Sequence, residues 1–295
     1  MSTPTAAQVV DGVDLTGKTC VITGASSGLG RESARALAST GAHVILTARN
    51  PEALQQTSQA INADVRGARI STVRIDLTSL SGIAAAAEEI RAAAPVINIL
   101  LNNAGVMFTP FGRTDDGFEM QFGTNHLGHF ALTQRLLPSL SDDARIINVS
   151  SEGHRLSDID LDDPNWQHRE YDKFVAYGAA KTANILHAVE LDRRLRNNGI
   201  RAYAVHPGMV ATNLMRHMSR DDVKTMTSRP REQAIEVLTP EEGAATQVWA
   251  AVSPQLANTG GVYLADCAVR TDPAPYAVDP ARAESLWALS ESLTD

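Results

Sequence analysis

Thr23-Gly24-Ala25-Ser26-Ser27-Gly28-Leu29-Gly30 connects a short apolar run, Thr19 to Thr23, to a segment from Arg31 to Thr40 in which apolar residues recur at helical spacing. The pattern predicts a strand, a tight turn and a helix. Glycines in such a turn let the chain fold tightly and let a phosphate approach the helix N-terminus. The spacing is G-x-x-x-G-x-G, and a glycine-rich turn taken alone also fits a purely structural role.

The same alternation of strand and helix continues along the chain. Strands are predicted at His43 to Thr47, Ile70 to Ile75, Ile97 to Leu101, Arg145 to Val149, Ala202 to Val205 and Gly261 to Leu264, and helices at Glu52 to Ile61, Ser81 to Ala94, Phe118 to Leu137 and Tyr177 to Leu195. Alternating units of this length predict a parallel sheet covered by helices on both faces. We therefore expect an α/β protein with a single doubly wound Rossmann-type domain of six to seven strands.

This domain is predicted to span residues 15–270, after an N-terminal tail (1–14) and before a C-terminal extension (271–295). Two insertions interrupt its rhythm: residues 152–176 are polar and aperiodic, and residues 209–240 are helical in patches. Both follow strands, at the edge of an open α/β sheet where ligands bind. They are predicted to form walls of a substrate pocket, with two solvated surface loops as the alternative.

Composition narrows the class of protein. Of 295 residues, 43% are hydrophobic, and 34 acidic against 26 basic residues give a net charge of −8, which argues against a nucleic-acid partner. Cys20 and Cys267 are too few for a disulfide framework and fit a reducing cytoplasm. No apolar stretch approaches the roughly 18 residues of a membrane span, and the N-terminus shows no secretory signal. We expect a cytoplasmic protein with no membrane partner.

Arg49 ends the second predicted strand, where dinucleotide-binding folds read the adenine ribose. Proteins that prefer NAD usually place an acid there, whereas an arginine offers a charged fork to a 2′-phosphate. The position predicts NADP(H), with NAD(H) as the second choice. A solvated arginine at a strand end is the alternative.

Tyr177 and Lys181 lie four residues apart, on one face of a predicted helix. A phenol with a pKa of about 10 needs a substantial downward shift to exchange protons near neutrality. A desolvated ammonium beside a bound nicotinamide can stabilise the phenolate. Such a pair taken alone is usually a surface contact, so its meaning depends on the rest of the chain.

The chain as a whole resembles the short-chain dehydrogenase/reductases. The resemblance covers about residues 15 to 270 and is carried, in the family order, by the glycine turn, Asn102-Asn103-Ala104-Gly105, Asn125, Ser150-Ser151, Tyr177 with Lys181, and Pro207-Gly208. Residues 124–130 (TNHLGHF), 206–208 (HPG) and 260–267 (GGVYLADC) make it most similar to the retinol-dehydrogenase and WW-domain-oxidoreductase type. Members of that type with a membrane anchor differ from this chain, which begins with a short polar tail.

The resemblance implies a role for each catalytic residue. Tyr177 is expected to be the general acid in carbonyl reduction and the base in alcohol oxidation, and Lys181 to lower its pKa and bind the nicotinamide ribose. Ser151, rather than Ser150, is expected to bind the substrate oxygen. Asn125 is expected to hold the backbone and water arrangement that passes protons from Lys181 to solvent.

The resemblance also implies a set of cofactor contacts. Besides Tyr177, Lys181 and Arg49, these are Gly24, Ser26, Ser27, Gly28, Leu29, Gly30, Asp76, Leu77, Asn103, Ala104, Gly105, Pro207, Gly208, Val210 and Thr212. Asp76 also fits a helix N-cap equally well. Tyr171 is a second phenol close to Tyr177, but no lysine stands four residues after it, so we interpret it as a pocket or packing residue.

These observations predict an NADP(H)-dependent oxidoreductase acting on an alcohol, aldehyde or ketone of moderate, partly apolar character. The alternative is a catalytically silent NAD(P)-binding regulator with the same fold. No metal site is expected, because His126, His129, His154 and His206 do not combine with cysteines or carboxylates at a recognised zinc spacing. A homodimer through the helices of Asn125 and Tyr177 is favoured over a monomer, although the acidic residues 158–163 lie near that surface.

Overall fold

A mostly parallel β-sheet forms the centre of the computed structural model, which describes residues 3–210, 214, 218, 222 and 237–295. The strands are β1 (Thr19–Thr23), β2 (His43–Ala48), β3 (Arg69–Arg74), β4 (Ile97–Asn102), β5 (Leu140–Val149), β6 (Arg201–Val205), β7 (Met209–Val210), β8 (Val237–Leu238), β9 (Val262–Ala265) and β10 (Ala268–Val269). The main sheet has the order β10-β9-β6-β5-β4-β1-β2-β3, and β7 pairs with β8 separately. The chain thus changes direction across the sheet between β1 and β4.

The predicted α/β fold is confirmed, and the main sheet contains one strand more than the upper prediction. The additional strand is β10, which runs antiparallel to β9 after a two-residue turn. Both turn residues, Asp266 and Cys267, have a φ of +53°. Two successive positive φ values are typical of a tight hairpin turn. A strand of two residues carries too little pattern to be predicted.

Helices cover both faces of the main sheet. They are α1 (Ala6–Val9), α2 (Gly28–Ser39), α3 (Pro51–Asp64), α4 (Leu80–Ala93), α5 (Met120–Phe122), α6 (Gly128–Leu136), α7 (Lys173–Leu195), α8 (Pro240–Gly243), α9 (Ala245–Val252) and α10 (Pro280–Thr294). Leu37, Leu54 and Val248 pack on one face, and Ile83 and Phe130 pack on the other. Burial on both sides explains why the parallel strands are almost continuously apolar. In the described part of the chain, no helix has the length and apolar content needed to cross a membrane.

Residues at both ends pack onto the predicted 15–270 unit. Thr5 caps α1 with its side chain, and Ala6 and Val10 are buried in the core. At the other end, the Trp287 ring of α10 meets the Phe130 ring at a centroid distance of 5.0 Å. Parts of the predicted N-terminal tail and C-terminal extension therefore pack against this unit, and the domain bounds stay a prediction.

The insertion predicted at 152–176 is irregular for most of its length, but its end belongs to a helix. A 3₁₀ turn spans Glu152–Leu156, and α7 begins at Lys173, four residues before the predicted start at Tyr177. The Asp172 carboxylate caps α7 by accepting hydrogen bonds from the backbone N–H groups of Phe174 and Val175. Tyr177 therefore lies one turn inside the helix, on rigid backbone.

Candidate active site

The turn between β1 and α2 requires glycine at three positions. Gly24 and Gly28 have φ of +68° and +54°, in the left-handed region that favours glycine. A Cβ on Gly30 would lie 2.4 Å from the carbonyl oxygen of Gly24 and 2.6 Å from Nδ2 of Asn103. The helix begins at Gly28, and Ser27 makes no side-chain capping bond to it. The N–H groups of its first turn are therefore donors that a phosphate can accept from.

A cleft of about 310 Å³ opens beside this turn, where the chain changes direction across the sheet. The predicted cofactor residues that line it are Gly24, Ser26, Ser27, Gly28, Leu29, Arg49, Asp76, Leu77, Asn103, Ala104 and Gly105. Gly30 acts behind this wall, where the missing side chain lets α2 approach the turn. A backbone-rich wall with a helix N-terminus at one end fits the phosphates of a dinucleotide.

Arg49 and Asp76 line the cleft in different ways. Arg49 is exposed at the end of β2, and its guanidinium makes no ion pair with the described residues. The Asp76 carboxylate accepts hydrogen bonds from the backbone N–H and the hydroxyl of Thr78. Ser79, not Asp76, caps α4. The N-cap alternative for Asp76 is therefore wrong.

Asn103 supports the glycine turn from behind. The Thr23 hydroxyl accepts hydrogen bonds from the backbone N–H groups of Asn103 and Ala104, at 2.9 and 3.0 Å. The Asn103 side chain donates to the carbonyl oxygen of Thr23 at 2.8 Å, and its own oxygen accepts from Nε2 of Gln247 at 3.3 Å. Gln247 also donates to the Ser33 hydroxyl at 2.6 Å. Gln247 was not predicted from the sequence, because it lies on α9, far from Asn103 in the chain.

Tyr177 and Lys181 are both buried, each with 4% of its surface exposed. The ammonium of Lys181 lies 5.7 Å from the centroid of the Tyr177 ring. It donates a hydrogen bond to the carbonyl oxygen of Val149 at 2.9 Å. Burial lowers the pKa of Lys181 to about 8, because the charged form is poorly solvated there. The predicted pair therefore exists on one helix face and is desolvated.

The phenol of Tyr177 has its own electrostatic environment. Burial raises its pKa to about 12, and a hydrogen bond with the Ser151 side chain acts in the opposite direction. The expected lowering by Lys181 is not seen, because the ammonium is directed at Val149 rather than at the phenol oxygen. The ring packs edge-on against Phe108, with centroids 5.0 Å apart. The Tyr177 phenol is therefore neutral in this structure.

The two serines after β5 point in different directions. The Ser150 hydroxyl donates to the carbonyl oxygen of Lys181 at 2.7 Å, inside α7. The Ser151 hydroxyl contacts the Tyr177 phenol and accepts a hydrogen bond from the backbone N–H of Gly153 at 3.0 Å. A Cβ on Gly153 would lie 2.7 Å from Cε1 of Tyr177. Ser151 is therefore the serine beside the phenol, and Gly153, missed by sequence reasoning, makes room for the ring.

Asn125 lies in a π-helical turn, Gly123–Leu127, that precedes α6. Its side chain is fixed by the backbone of Val106: the amide oxygen accepts from the N–H at 2.8 Å, and the amide nitrogen donates to the carbonyl at 2.9 Å. π-turns occur often at functional sites. The sequence predicts a continuous helix here, because residues 121–133 are all buried and therefore show no one-sided apolar periodicity that an extra residue could shift.

Gly105 connects the cleft to the catalytic residues. It lines the cleft, and a Cβ at this position would lie 3.1 Å from Oδ1 of Asn125 and 3.7 Å from Nζ of Lys181. Leu214 also lines the cleft and packs with Phe108 and Tyr177. Asn125, Ser151, Tyr177 and Lys181 do not line the cleft themselves, but Gly105 and Leu214 place the amide, the ammonium and the phenol next to its wall.

The Pro207-Gly208 segment lies further from the cleft. Gly208 has a φ of +85°, and a Cβ there would lie 2.6 Å from Cδ1 of Leu238. Val210 packs closely against Gly243. Among the described residues, Pro207, Gly208 and Val210 do not line the cleft, and Thr212 lies outside the described residues. A Cβ on Gly243 would lie 2.4 Å from Cγ2 of Val210 and 2.8 Å from Cδ2 of Leu29, which does line the cleft, so Val210 lies beside the cleft wall and the cofactor role of this segment stays a prediction.

Tyr171 belongs to a separate polar cluster. Its hydroxyl accepts from Nε2 of Gln121 at 2.9 Å and lies 2.9 Å from Oε1 of Glu119. Burial raises the pKa of the Glu119 carboxyl, and backbone N–H groups of α5 oppose the shift. Because every contact of this hydroxyl is to a structural partner, the geometry supports a packing role for Tyr171.

Comparison with known proteins gives the family. A family model described as short chain dehydrogenase matches residues 18–223, and the chain belongs to this family. The predicted class, an NAD(P)-dependent oxidoreductase, is confirmed. Human retinol dehydrogenase 13 is 40% identical, with 94% of this chain and 84% of the relative covered. The WW domain-containing oxidoreductase of Danio rerio is 39% identical over 98% of this chain and 71% of its own length.

Further relatives and solved structures agree. The short-chain dehydrogenase TIC 32 B, chloroplastic, of Brassica napus is 37% identical over 100% of this chain and 94% of its own length. A crystal structure of an uncharacterized protein from Mycobacterium paratuberculosis matches with a TM-score of 0.78 and 36% identity, covering 99% of this chain and 98% of the other. The angucycline C-6 ketoreductase LanV, solved with bound NADP, matches with a TM-score of 0.69 and 28% identity, covering 86% and 95%.

Proposed function

We propose that this protein is an NADP(H)-dependent oxidoreductase that transfers hydride between nicotinamide and an alcohol, aldehyde or ketone. One observation carries the proposal: Tyr177, Ser151, Lys181 and Asn125 form one cluster that reaches Gly105, a residue in the wall of the cleft that begins at the glycine turn. A buried phenol in contact with a hydroxyl and close to an ammonium is suited to proton exchange with a carbonyl or alcohol oxygen.

When bound, the cofactor would supply or accept the hydride, and the protein would supply its binding and orientation. The glycine turn and the N-terminus of α2 would hold its phosphates. Asp76, Leu77 and the Asn103 to Gly105 segment would hold the nucleoside portions along the cleft. A bound NADP in the related ketoreductase LanV supports the same cofactor here.

The protein's own groups handle the proton. In reduction, Tyr177 donates its phenolic proton to the substrate oxygen, and in oxidation the phenolate accepts it. The Ser151 hydroxyl, already in contact with the phenol, donates a hydrogen bond to the same substrate oxygen as negative charge develops on it. Lys181 stabilises the phenolate by its charge, and the backbone at Asn125 supports proton exchange with solvent.

The substrate wall near Tyr177 is apolar. Phe108 and Phe174 contact each other with ring centroids 4.5 Å apart, and both pack with Tyr177, Leu214 and Met218 in one cluster. Apolar and aromatic walls with few polar groups are typical of sites for moderately sized organic ligands. This supports a carbonyl or alcohol substrate of partly apolar character.

The direct test is to mix the purified protein with NADPH and a panel of aliphatic, alicyclic and aromatic aldehydes and ketones. We expect loss of NADPH absorbance together with an equal amount of the alcohol product, and the reverse reaction with NADP⁺. The alternative, a silent NAD(P)-binding regulator, predicts tight NADPH binding without turnover of any member of the panel. The complete set of four catalytic side chains favours the enzyme.

The cofactor preference gives a separate prediction at Arg49. Replacing Arg49 by Asp removes the charge offered to a 2′-phosphate and introduces an acceptor for a ribose hydroxyl. The ratio of NADPH to NADH affinity should fall by about tenfold or more, measured by fluorescence titration of both cofactors. Arg66→Asp is a matched control, because Arg66 is also exposed but does not line the cleft. An unchanged ratio in Arg49→Asp removes Arg49 from the phosphate site.

The cytoplasm is the compartment we propose. The thiols of Cys20 and Cys267 are both free, and Cys20 is fully buried in β1, where burial raises its pKa to about 12. A chain whose cysteines remain unpaired is suited to a reducing compartment.

A further inference from the structure

His129 is a buried histidine outside the four catalytic residues, with 2% of its surface exposed. It lies on α6, just after the π-turn that contains Asn125. Its ring joins two parts of the site: Nδ1 lies 2.9 Å from the carbonyl oxygen of Asn125, and Nε2 lies 2.8 Å from the Thr23 hydroxyl oxygen. Thr23 is the residue that begins the glycine turn. One side chain thus bridges a catalytic residue and the cofactor turn.

The direction of each hydrogen bond follows from the partners of Thr23. Its hydroxyl oxygen accepts two backbone N–H groups, those of Asn103 and Ala104, which occupies both lone pairs. The hydroxyl hydrogen is left to donate, and Nε2 of His129 at 2.8 Å is closer than the carbonyl of Leu101 at 3.5 Å. Nε2 is therefore the acceptor. The proton of the neutral ring is on Nδ1, and it donates to the carbonyl oxygen of Asn125.

The surroundings keep this ring neutral. Burial lowers the pKa of His129 to about 4, the Asn125 carbonyl opposes the shift, and the nearby charge of Lys181 adds to it. Protonation at Nε2 would also remove the acceptor that Thr23 requires. A single tautomer is thus fixed from both sides, and hydrogen bonds run in one direction from Asn103 and Ala104 through Thr23 and His129 to Asn125.

We propose that His129 is a positioning residue that couples the geometry of the cofactor turn to the backbone of Asn125. The proposal rests on the proposed function. The Asn125 side chain is already fixed by Val106. The imidazole of His129 therefore acts on the main-chain carbonyl of Asn125, whose direction it fixes. A carbonyl has two lone pairs. One lone pair accepts the hydrogen bond from His129. The direction of this hydrogen bond sets the direction of the second lone pair, which serves proton exchange beside Lys181.

Two nearly isosteric variants separate the two ends of the bridge. Asn places a donor near the position of Nδ1, so His129→Asn keeps the bond to Asn125 and loses the one to Thr23. Gln places its amide near Nε2, so His129→Gln keeps Thr23 and loses Asn125. We expect His129→Asn to raise the Kd of NADPH by about tenfold with little change in kcat, and His129→Gln to lower kcat by about tenfold with little change in Kd. Equal losses of both quantities in both variants would mean a merely structural histidine.

His126→Gln is the matched control. His126 is also buried in the π-turn, but its Nε2 contacts the Ser290 hydroxyl, and its described contacts include neither Asn125 nor Thr23. This variant is expected to lower the melting temperature without separating kcat from Kd. A separation like that of the His129 variants would contradict the proposal.

A measurement on the wild-type protein does not depend on catalysis or on the folding of any variant. In ¹⁵N-histidine-labelled protein, the ring nitrogens of His129 should report a neutral Nδ1–H tautomer at pH 7. An Nε2–H tautomer would overturn the proposal. If no carbonyl compound is turned over, the proposed function fails, while the tautomer and the Kd of NADPH in both variants still decide the role of His129.

Discussion

Tyr177→Phe is expected to lower kcat for NADPH-dependent carbonyl reduction by about 10³-fold, within the range that general acid–base catalysis contributes. The substitution removes only the hydroxyl, so the edge-on packing of the ring against Phe108 is retained. Water is a poor substitute for the phenol as proton donor, because the position is 96% shielded by the surrounding side chains. Steady-state kinetics on the best substrate of the panel measure kcat, and fluorescence titration should show a Kd for NADPH that changes only a few-fold.

Tyr171→Phe distinguishes the catalytic phenol from its neighbour. Removing the Tyr171 hydroxyl takes a partner from Gln121 and Glu119, so the melting temperature should fall while kcat stays within about fivefold of wild type. Comparable loss of kcat in both variants would assign the effect to disturbance of the pocket. Full activity of Tyr177→Phe would remove the proposed mechanism altogether.

The fold is predictable here because its signals are local. β1, β4 and β6 are buried on both faces, so each is encoded as a short apolar run. The glycine turn is equally local, since Gly24 needs a positive φ and Gly30 needs space beside the carbonyl of Gly24. Tyr177 and Lys181 are predictable as a pair because four residues of helix bring them to one face.

Residues that support the site through distant partners are not predictable in this way. The hydrogen bond between His129 and Thr23 joins residues 106 apart in the sequence, and the one between Gln247 and Ser33 joins residues 214 apart. No spacing rule connects such positions. The tautomer of His129 likewise becomes evident only when the other partners of Thr23 are known.

The contacts of the C-terminal helix α10 also join residues that are distant in the sequence, and they bear on the predicted homodimer. α10 packs along α7, and its Arg282 forms an ion pair with Asp158 of the acidic insertion at 2.8 Å. Trp287 is buried between Phe130 of α6 and His187 of α7. The face expected to form a homodimer, that of the helices carrying Asn125 and Tyr177, is thus covered in part by the chain's own α10. A homodimer through the uncovered part of this face stays a prediction.

The prediction that Lys181 lowers the pKa of Tyr177 needs the largest revision. Burial alone raises the pKa of a phenol, and it does so here, to about 12. The same burial lowers the pKa of Lys181 to about 8. A poorly solvated ammonium next to a poorly solvated phenol favours the phenolate, because each charge compensates the desolvation of the other. We therefore propose that the charge of Lys181 offsets the cost of ionising the buried Tyr177 during catalysis, and removing this charge should be costly for catalysis.

Lys181→Met is expected to lower kcat/KM for alcohol oxidation near pH 7 by about 100-fold, since general-base catalysis then depends on a phenolate without a neighbouring cation. Methionine preserves the length of the side chain. The carbonyl oxygen of Val149, which loses the ammonium, still accepts a hydrogen bond from Nδ2 of Asn184 at 3.0 Å. The loss should therefore be electrostatic rather than structural, and an unchanged melting temperature checks this.

The pH dependence of alcohol oxidation shows in which direction the charge of Lys181 acts. Below about pH 8 the wild-type Lys181 is charged and favours the phenolate, and as the pH rises through this value the ammonium loses its proton and the advantage declines. In Lys181→Met the limb on which oxidation rises with pH should move to higher pH by about two units, which corresponds to the 100-fold loss near pH 7 at about 1.36 kcal/mol per unit, so that the two profiles converge at high pH. Lys18→Met is the control, because Lys18 forms an exposed pair with Asp143, a type of pair that contributes little. Parallel profiles for wild type and Lys181→Met, offset by a constant factor at every pH, would show that Lys181 acts by holding the cofactor and not by its charge on Tyr177.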